Sequence, residues 1–116
     1  MIDKFTKESL LFDFYGQLLS TRKRQVTGLY YGEDLSLSEI AEQFGISRSS
    51  VHESLKSAEK SLEEYEEKLG LVKKYFERAE IKDEIKKRIS DIREDMNEDS
   101  VYGKLDEIDN LIQKLD

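Results

Sequence analysis

One short stretch of this sequence concentrates side chains whose chemistry suits nucleic acids. An arginine can contact a guanine edge, a lysine can neutralise phosphate, and hydroxyls near a helix N-terminus can bind phosphate. If Val51 and Leu55 face a core, the neighbouring helical positions point outward together. The candidate set is Arg48 for a base edge, Ser49, Ser50 and Lys56 for phosphate, and His52 and Glu53 on the same face. The pattern predicts a nucleic-acid-binding face; an exposed, merely solvated helix face is the alternative.

A second basic cluster lies upstream, at Arg22, Lys23 and Arg24. These residues are candidates for phosphate or RNA backbone contacts, or for surface charge at the start of a helix. Non-specific DNA binding typically involves roughly 6–10 phosphate contacts, whereas the two clusters together offer about five cations. Glu53 offsets part of that charge. The balance leaves DNA contact and plain solvation both open.

The sequence offers no catalytic constellation. His52 is the only histidine, and a lone histidine on an exposed helix is usually a polar surface residue. The pairs Glu63–Glu64 and Glu66–Glu67 are adjacent, so their carboxylates point in different directions, and no Glu-x-x-His spacing accompanies them. No phosphate-binding glycine loop or serine–histidine–acid set is present. We therefore expect no enzyme activity, no metal site and no cofactor.

Local signals place the basic residues in a helix-turn-helix. Ser36–Glu39 has the spacing of a capping box at the start of a short helix, and Gly45 suits the left-handed residue that ends it. Ser47 can cap the next helix. The apolar residues from Val51 to Leu69 then alternate spacings of four and three. This pattern predicts a helix that runs unbroken from about Ser47 to about Leu69.

The N-terminal region predicts two further helices. Apolar residues run at helical spacing from Phe5 to Leu18, and a second helix is expected to begin after Ser20 and to run to Tyr30 or Tyr31 before Gly32 ends it. We expect these helices and the helix-turn-helix to close one core. Its predicted members are Leu11, Phe14, Leu18, Val26, Ile40 and Leu55.

The C-terminal half predicts a helical extension. Its expected elements are a helix that starts at Leu71 and continues one face through Ile81, Ile85, Ile89 and Ile92, a polar turn at Asn97–Ser100, and a last short helix marked by Leu105 to Leu115. The fold class is therefore all-α. Residues 1–62 form the N-terminal helix plus the helix-turn-helix module, and residues 63–116 form the extension.

Charge is distributed unevenly over the 116 residues, whose net charge is −7. Residues 19–56 hold five basic and five acidic side chains, whereas residues 57–116 hold twelve basic and eighteen acidic ones. The absence of cysteine is compatible with a reducing cytoplasm. No window approaches 18 apolar residues, so we expect a cytoplasmic protein without membrane insertion.

The stretch from Leu35 to Val51 resembles the fourth conserved region of bacterial sigma factors. That likeness begins upstream, at Leu19–Val26, and covers roughly residues 17–62. Together with the Phe12-x-Phe14-Tyr15 segment and the acidic helical tail, the whole chain resembles the YlxM family. Members of that family are small bacterial helix-turn-helix proteins whose genes lie beside those of the signal recognition particle GTPase and its receptor.

This resemblance implies a regulatory or accessory role in protein targeting. The implied partners are the signal recognition particle GTPase, its receptor or its RNA. The alternative is a sequence-specific DNA-binding transcriptional regulator unrelated to targeting, which the likeness to sigma factors favours.

A homodimer is also expected, on grounds of burial. Two apolar seams, Leu62–Leu69 and Ile81–Ile92, need a covering surface, and one chain of this length has difficulty supplying it for both. We therefore predict self-association through the C-terminal half.

Overall fold

The computed structural model describes residues 2–94 and 98–115, without the side chain of Glu98. The fold is all-α, as predicted, and no strand occurs in those ranges. The helices are α1 (Lys4–Tyr15), α2 (Thr21–Thr27), α3 (Leu37–Phe44), α4 (Arg48–Leu69), α5 (Leu71–Glu94) and α6 (Glu98–Gln113). A 3-10 turn at Gly16–Leu18 follows α1, and a π turn at Gly28–Gly32 follows α2. Among the helices of the described ranges, none has the length and the hydropathy of a membrane span.

The chain divides into two compact units, the first ending at Val72 and the second beginning at Lys73. The expected boundary after residue 62 falls inside α4, which belongs to the first unit over its whole length. The apolar seam of α4 lies in two successive clusters of that unit. One cluster contains Val26, Tyr31, Ile40, Ala41, Val51 and Leu55. The other contains Leu11, Tyr15, Leu19, Ala58, Leu62 and Val72.

Two predicted core residues are wrong. Phe14 is 38% exposed and Leu18 is 57% exposed. The face of α1 that packs against α4 carries Leu11 and Tyr15, and a residue adjacent on a helix points about 100° away. Phe14 is therefore turned toward solvent. The 3-10 turn then places Leu19, instead of Leu18, in the cluster.

Hydrogen bonds hold the first two residues of α5, which still belong to the first unit. Gly70 ends α4 with a φ of 63°, in the left-handed region that glycine tolerates. The buried hydroxyl of Tyr15 donates to Glu66 Oε1 at 2.6 Å and accepts from the Leu71 N–H at 3.0 Å. Glu66 Oε1 also accepts from the Val72 N–H at 3.0 Å. The first backbone donors of α5 are thereby satisfied.

The second unit contains the rest of α5 and all of α6. Arg88 Nε lies 2.7 Å from Glu107 Oε2, and Lys104 Nζ donates to the Asp91 carbonyl at 3.5 Å. Ile108 and Leu111 are buried. The predicted polar turn is corrected in part: Glu98 to Ser100 already belong to α6, since an acidic residue such as Asp99 is also favourable in the first turn of a helix. Asn97 lies outside the described residues.

Candidate nucleic-acid interface

The turn before α4 is held by its own side chains. Ser36 accepts from the Glu39 N–H at 3.1 Å while Glu39 Oε1 accepts from the Ser36 N–H at 3.0 Å, so the predicted capping box is present. Gly45 has a φ of 65°, as the left-handed prediction requires. The Ile46 N–H then donates to the Ala41 carbonyl at 3.0 Å, which closes the end of α3. These local bonds fix the angle at which α4 leaves the turn.

The first turn of α4 is capped by Ser47. Its hydroxyl oxygen accepts from the Ser50 N–H at 3.0 Å, and its hydroxyl donates to Ser50 Oγ at 2.9 Å. The hydroxyl hydrogen of Ser50 is therefore directed away from Ser47 and can donate elsewhere. The exposed hydroxyls of Ser49 and Ser50 thus lie at the positive end of the helix dipole, where phosphate binds favourably.

The outer face of α4 carries most of the candidate residues. Val51 and Leu55 are 0% and 4% exposed, in the cluster with α2 and α3. The periodicity therefore turns the candidates outward, and they are exposed: Arg48, Ser49, Ser50, His52, Glu53 and Lys56. A surface depression of about 520 Å³ is lined by Arg48, Ser49, His52 and Glu53. We call the exposed candidates on α4 the recognition face.

Lys56 differs from Arg48 in its surroundings. Its Nζ lies 3.8 Å from Glu59 Oε1, and Lys4 Nζ lies at the same distance from that oxygen. The Glu59 side chain is only 12% exposed, whereas that of Lys56 is 55% exposed. Lys56 can still reach an incoming phosphate, but it would share its charge with Glu59.

The upstream basic cluster is not a single contact surface. The guanidinium of Arg22 lies 4.7 Å from the centroid of the Phe44 ring, a cation–π contact that joins α2 to the end of α3. Lys23 is half-buried, and Arg24 is exposed in the last turn of α2. Successive side chains diverge around the helix, so the three cations point in different directions.

Sequence reasoning missed a group of carboxyls on the other half of the first unit. Glu8 is 1% exposed, and its Oε2 has no hydrogen-bond partner among the described residues. Burial raises the pKa of Glu8 from 4.5 to about 7, and the neighbouring carboxylates of Glu63 and Glu59 act in the same direction. The sequence does carry a signal for the burial of Glu8, because this residue shares the apolar face of α1 with Leu11 and Tyr15 at spacings of three and four.

Tyr31 completes this group. Its hydroxyl donates to Glu59 Oε2 at 3.2 Å, and burial, together with the charge of Glu59, raises the pKa of its phenol. The tyrosine therefore stays a hydrogen-bond donor. Within residues 2–94 and 98–115, no three histidine, cysteine, aspartate or glutamate side chains are grouped so that they could hold a metal ion.

Comparison with known proteins places the chain in a family. The family described as "Putative helix-turn-helix protein, YlxM / p13 like" matches residues 2–113. UPF0122 proteins of Bacillus cereus (strain AH187) and Bacillus anthracis (strain A0248) are each 43% identical to this chain over 116 residues, which is 100% of both chains. A UPF0122 protein of Bacillus thuringiensis subsp. konkukian (strain 97-27) shows the same 43% identity over 100% of both chains. The chain therefore belongs to this family of helix-turn-helix proteins, as its resemblance to the YlxM proteins predicts.

Proposed function

We propose that this chain is a cytoplasmic regulatory protein that binds nucleic acid through the recognition face and catalyses no reaction. Membership of a helix-turn-helix family supports a DNA-binding regulatory role. The observation that carries the proposal is the exposure of Arg48, Ser49 and His52 around one depression at the start of a capped helix. A helix of this kind can enter a major groove with its N-terminal residues against base edges.

The charge of one copy is small for this task. Lys56 shares its charge with Glu59, and Arg22 is stacked on Phe44, so two of the five candidate cations already have a partner within the chain. Typical phosphate contacts number roughly 6–10. Two copies on one duplex would double the contribution of Arg48. This requirement favours a dimer, which we propose forms through the second unit.

The apolar side chains that the proposed dimer would cover lie in the second unit. Leu62 is 0% exposed within its own chain and needs no partner. In the second unit, by contrast, Ile89, Leu105 and Ile112 are 38%, 44% and 47% exposed. Leu105 and Ile112 lie two turns apart on α6 and therefore share a face. Burying such side chains contributes roughly 1.5–3 kcal/mol each.

Sedimentation at micromolar concentration tests the dimer. We expect the wild type to sediment as a species of about twice the 13.6 kDa chain mass. The double variant Leu105→Lys with Ile112→Lys should sediment at the mass of a single chain. Exchanging the exposed Asp106 and Asp109 for asparagine, which shifts the net charge by the same amount, serves as the charge control. A wild-type species of single-chain mass rules the dimer out.

A second candidate function uses the other end of the molecule. Residues 57–116 hold six more acidic than basic side chains, a surface suited to a basic partner. The likeness to YlxM proteins suggests that this partner belongs to the signal recognition particle pathway, as the GTPase or its receptor, since the RNA of that pathway is a polyanion and would instead bind the recognition face. The chain would then be an accessory factor in protein targeting.

Capture from a bacterial lysate, with and without nuclease, separates these functions. For the proposed function we expect the captured material to be nuclease-sensitive and to be reduced by Arg48→Ala. Lys60→Ala, which removes an exposed cation from a later turn of α4, is the matched control. Capture of a protein that survives nuclease and Arg48→Ala alike would instead support the accessory role and contradict the first proposal.

A further inference from the structure

A cavity of about 330 Å³ lies beside the recognition face, between the start of α1, the π turn and α4. Its volume is at the lower end of the range for small-molecule sites, roughly 300–1,000 Å³. Aromatic rings of Phe5, Tyr30 and Tyr31 form part of its wall, and Lys4, Lys56 and Glu59 form another part. We call this cavity the aromatic pocket.

The aromatic wall includes an unusual backbone segment. Tyr30 and Tyr31 are adjacent in sequence, and both approach the ring of Phe5, with centroid distances of 6.2 and 5.0 Å. Both tyrosines belong to the five-residue π turn Gly28–Gly32. Such turns are rare and often lie at functional sites. Phe5 remains 45% exposed, so part of its ring is available to a ligand.

The charged wall favours an anion at the pocket mouth. The ammonium groups of Lys4 and Lys56 both lie 3.8 Å from one oxygen of Glu59, so two positive charges accompany one negative charge. The lysine side chains are 69% and 55% exposed, whereas that of Glu59 is 12% exposed. The part-buried hydroxyl of Tyr31 also donates a hydrogen bond to Glu59. The accessible charge is therefore positive, which disfavours a cationic ligand despite the aromatic rings.

We propose that the aromatic pocket binds one nucleotide, with its base against Phe5 and Tyr30 and its phosphate against Lys4 and Lys56. Every base offers a face for stacking on an aromatic ring, and lysines neutralise phosphate. The inference goes beyond the proposed function, because Lys4 and Phe5 lie on α1, outside the helix-turn-helix. The same chemistry is offered by a free nucleotide and by an unstacked nucleotide of a single strand.

Isothermal titration with two probes tests the pocket. The first set of probes consists of the four ribonucleoside monophosphates, titrated one at a time, and the second consists of single-stranded homopentanucleotides. Phe5→Leu keeps an apolar side chain but removes the ring, and we expect it to weaken binding roughly tenfold. Lys4→Gln is expected to weaken binding less. Phe14→Leu, which changes another exposed phenylalanine of α1, is the matched control and should bind as the wild type does.

The probes identify the source of the nucleotide. Phe5-dependent binding of monophosphates supports a free ligand, and Phe5-dependent binding of pentanucleotides alone supports a strand. No binding of either probe, or equal binding by wild type and Phe5→Leu, overturns the inference. A parallel titration with duplex DNA keeps the two proposals apart. If neither probe shows Phe5-dependent binding, a loss of duplex binding in Arg48→Ala but not in Phe5→Leu would leave the proposed function intact although the pocket proposal has failed.

Discussion

The N-terminal half of α4 packs Val51 and Leu55 against α2 and α3 and turns Arg48, Ser49 and His52 to solvent. The C-terminal half packs Ala58 and Leu62 against α1 by the same helical spacing. Three of its glutamates, however, take part in contacts within the protein. Glu59 binds Tyr31 and two lysines, Glu63 lies beside the buried Glu8, and Glu66 binds Tyr15 and the start of α5.

This difference separates two uses of polar residues on one helix. On the N-terminal half, polar side chains make few bonds to the rest of the protein, so they can be exchanged without loss of stability and can contact a ligand. On the C-terminal half, carboxylates join α1, α4 and α5, so their exchange should affect folding. The net acidity of this region is therefore partly structural, and it does not by itself argue against nucleic-acid binding at the other end.

The largest expected effect is on the C-terminal half. Leu62→Ala removes a side chain that is 0% exposed and should lower the free energy of unfolding by roughly 2–5 kcal/mol. Leu69→Ala, seven residues further along the same seam but 50% exposed, should change it by less than about 1 kcal/mol. Urea unfolding followed by circular dichroism measures both. Equal effects of the two variants would show that the seam is not buried as described.

The buried carboxyl should make stability depend on pH. Burial raises the pKa of Glu8 from 4.5 to about 7, so the folded state keeps a proton that the unfolded chain loses. This contribution is fully present below about pH 4.5 and is lost as pH rises toward and through about 7. Glu8→Gln stays neutral, and between pH 4 and pH 8 it should gain roughly 1–3 kcal/mol of stability relative to wild type.

Unfolding at a series of pH values checks this prediction. Asp13→Asn, which changes an exposed carboxylate of the same helix, is the control and should show the wild-type dependence. Parallel stability profiles for Glu8→Gln and wild type would mean that Glu8 does not carry the proton.

A smaller effect is expected at the joint between α4 and α5. Tyr15→Phe leaves the Leu71 N–H and Glu66 without the hydroxyl that joins them, and should lower the free energy of unfolding by roughly 1–2 kcal/mol. Tyr30→Phe removes a hydroxyl with no hydrogen bond in the described part of the chain and should be close to neutral. If Tyr15→Phe were equally neutral, the joint would not depend on this bond.

The sequence predicted the helices better than their polar contacts. Local signals sufficed for the capping box at Ser36, the left-handed Gly45 and the span of α4, because capping and periodicity act within a few residues. The contacts of Glu8, Glu59 and Glu66 could not be predicted, since their partners lie on other helices. The exposure of Phe14 likewise depends on which face α1 presents to α4, and the π turn has no reliable sequence signal.

The candidate site shows the same division. Outward placement of Arg48, His52 and Lys56 followed from the inward positions of Val51 and Leu55, which periodicity alone predicts. The stacking of Arg22 on Phe44 and the pairing of Lys56 with Glu59 are tertiary contacts. These contacts reduce the number of cations that remain available to phosphate. A count of charges in the sequence therefore overestimates that number.

The salt dependence of DNA binding tests the central claim most directly. Duplex DNA fragments of mixed sequence can be titrated at several salt concentrations with wild type and with Arg48→Ala combined with Lys56→Ala. We expect weaker binding and a slope of log affinity against log salt that is shallower by roughly one to two. Lys60→Ala combined with Lys68→Ala, which changes exposed lysines on the other half of α4, should keep the wild-type slope. Equal affinity and slope for wild type and the first double variant would contradict the recognition face.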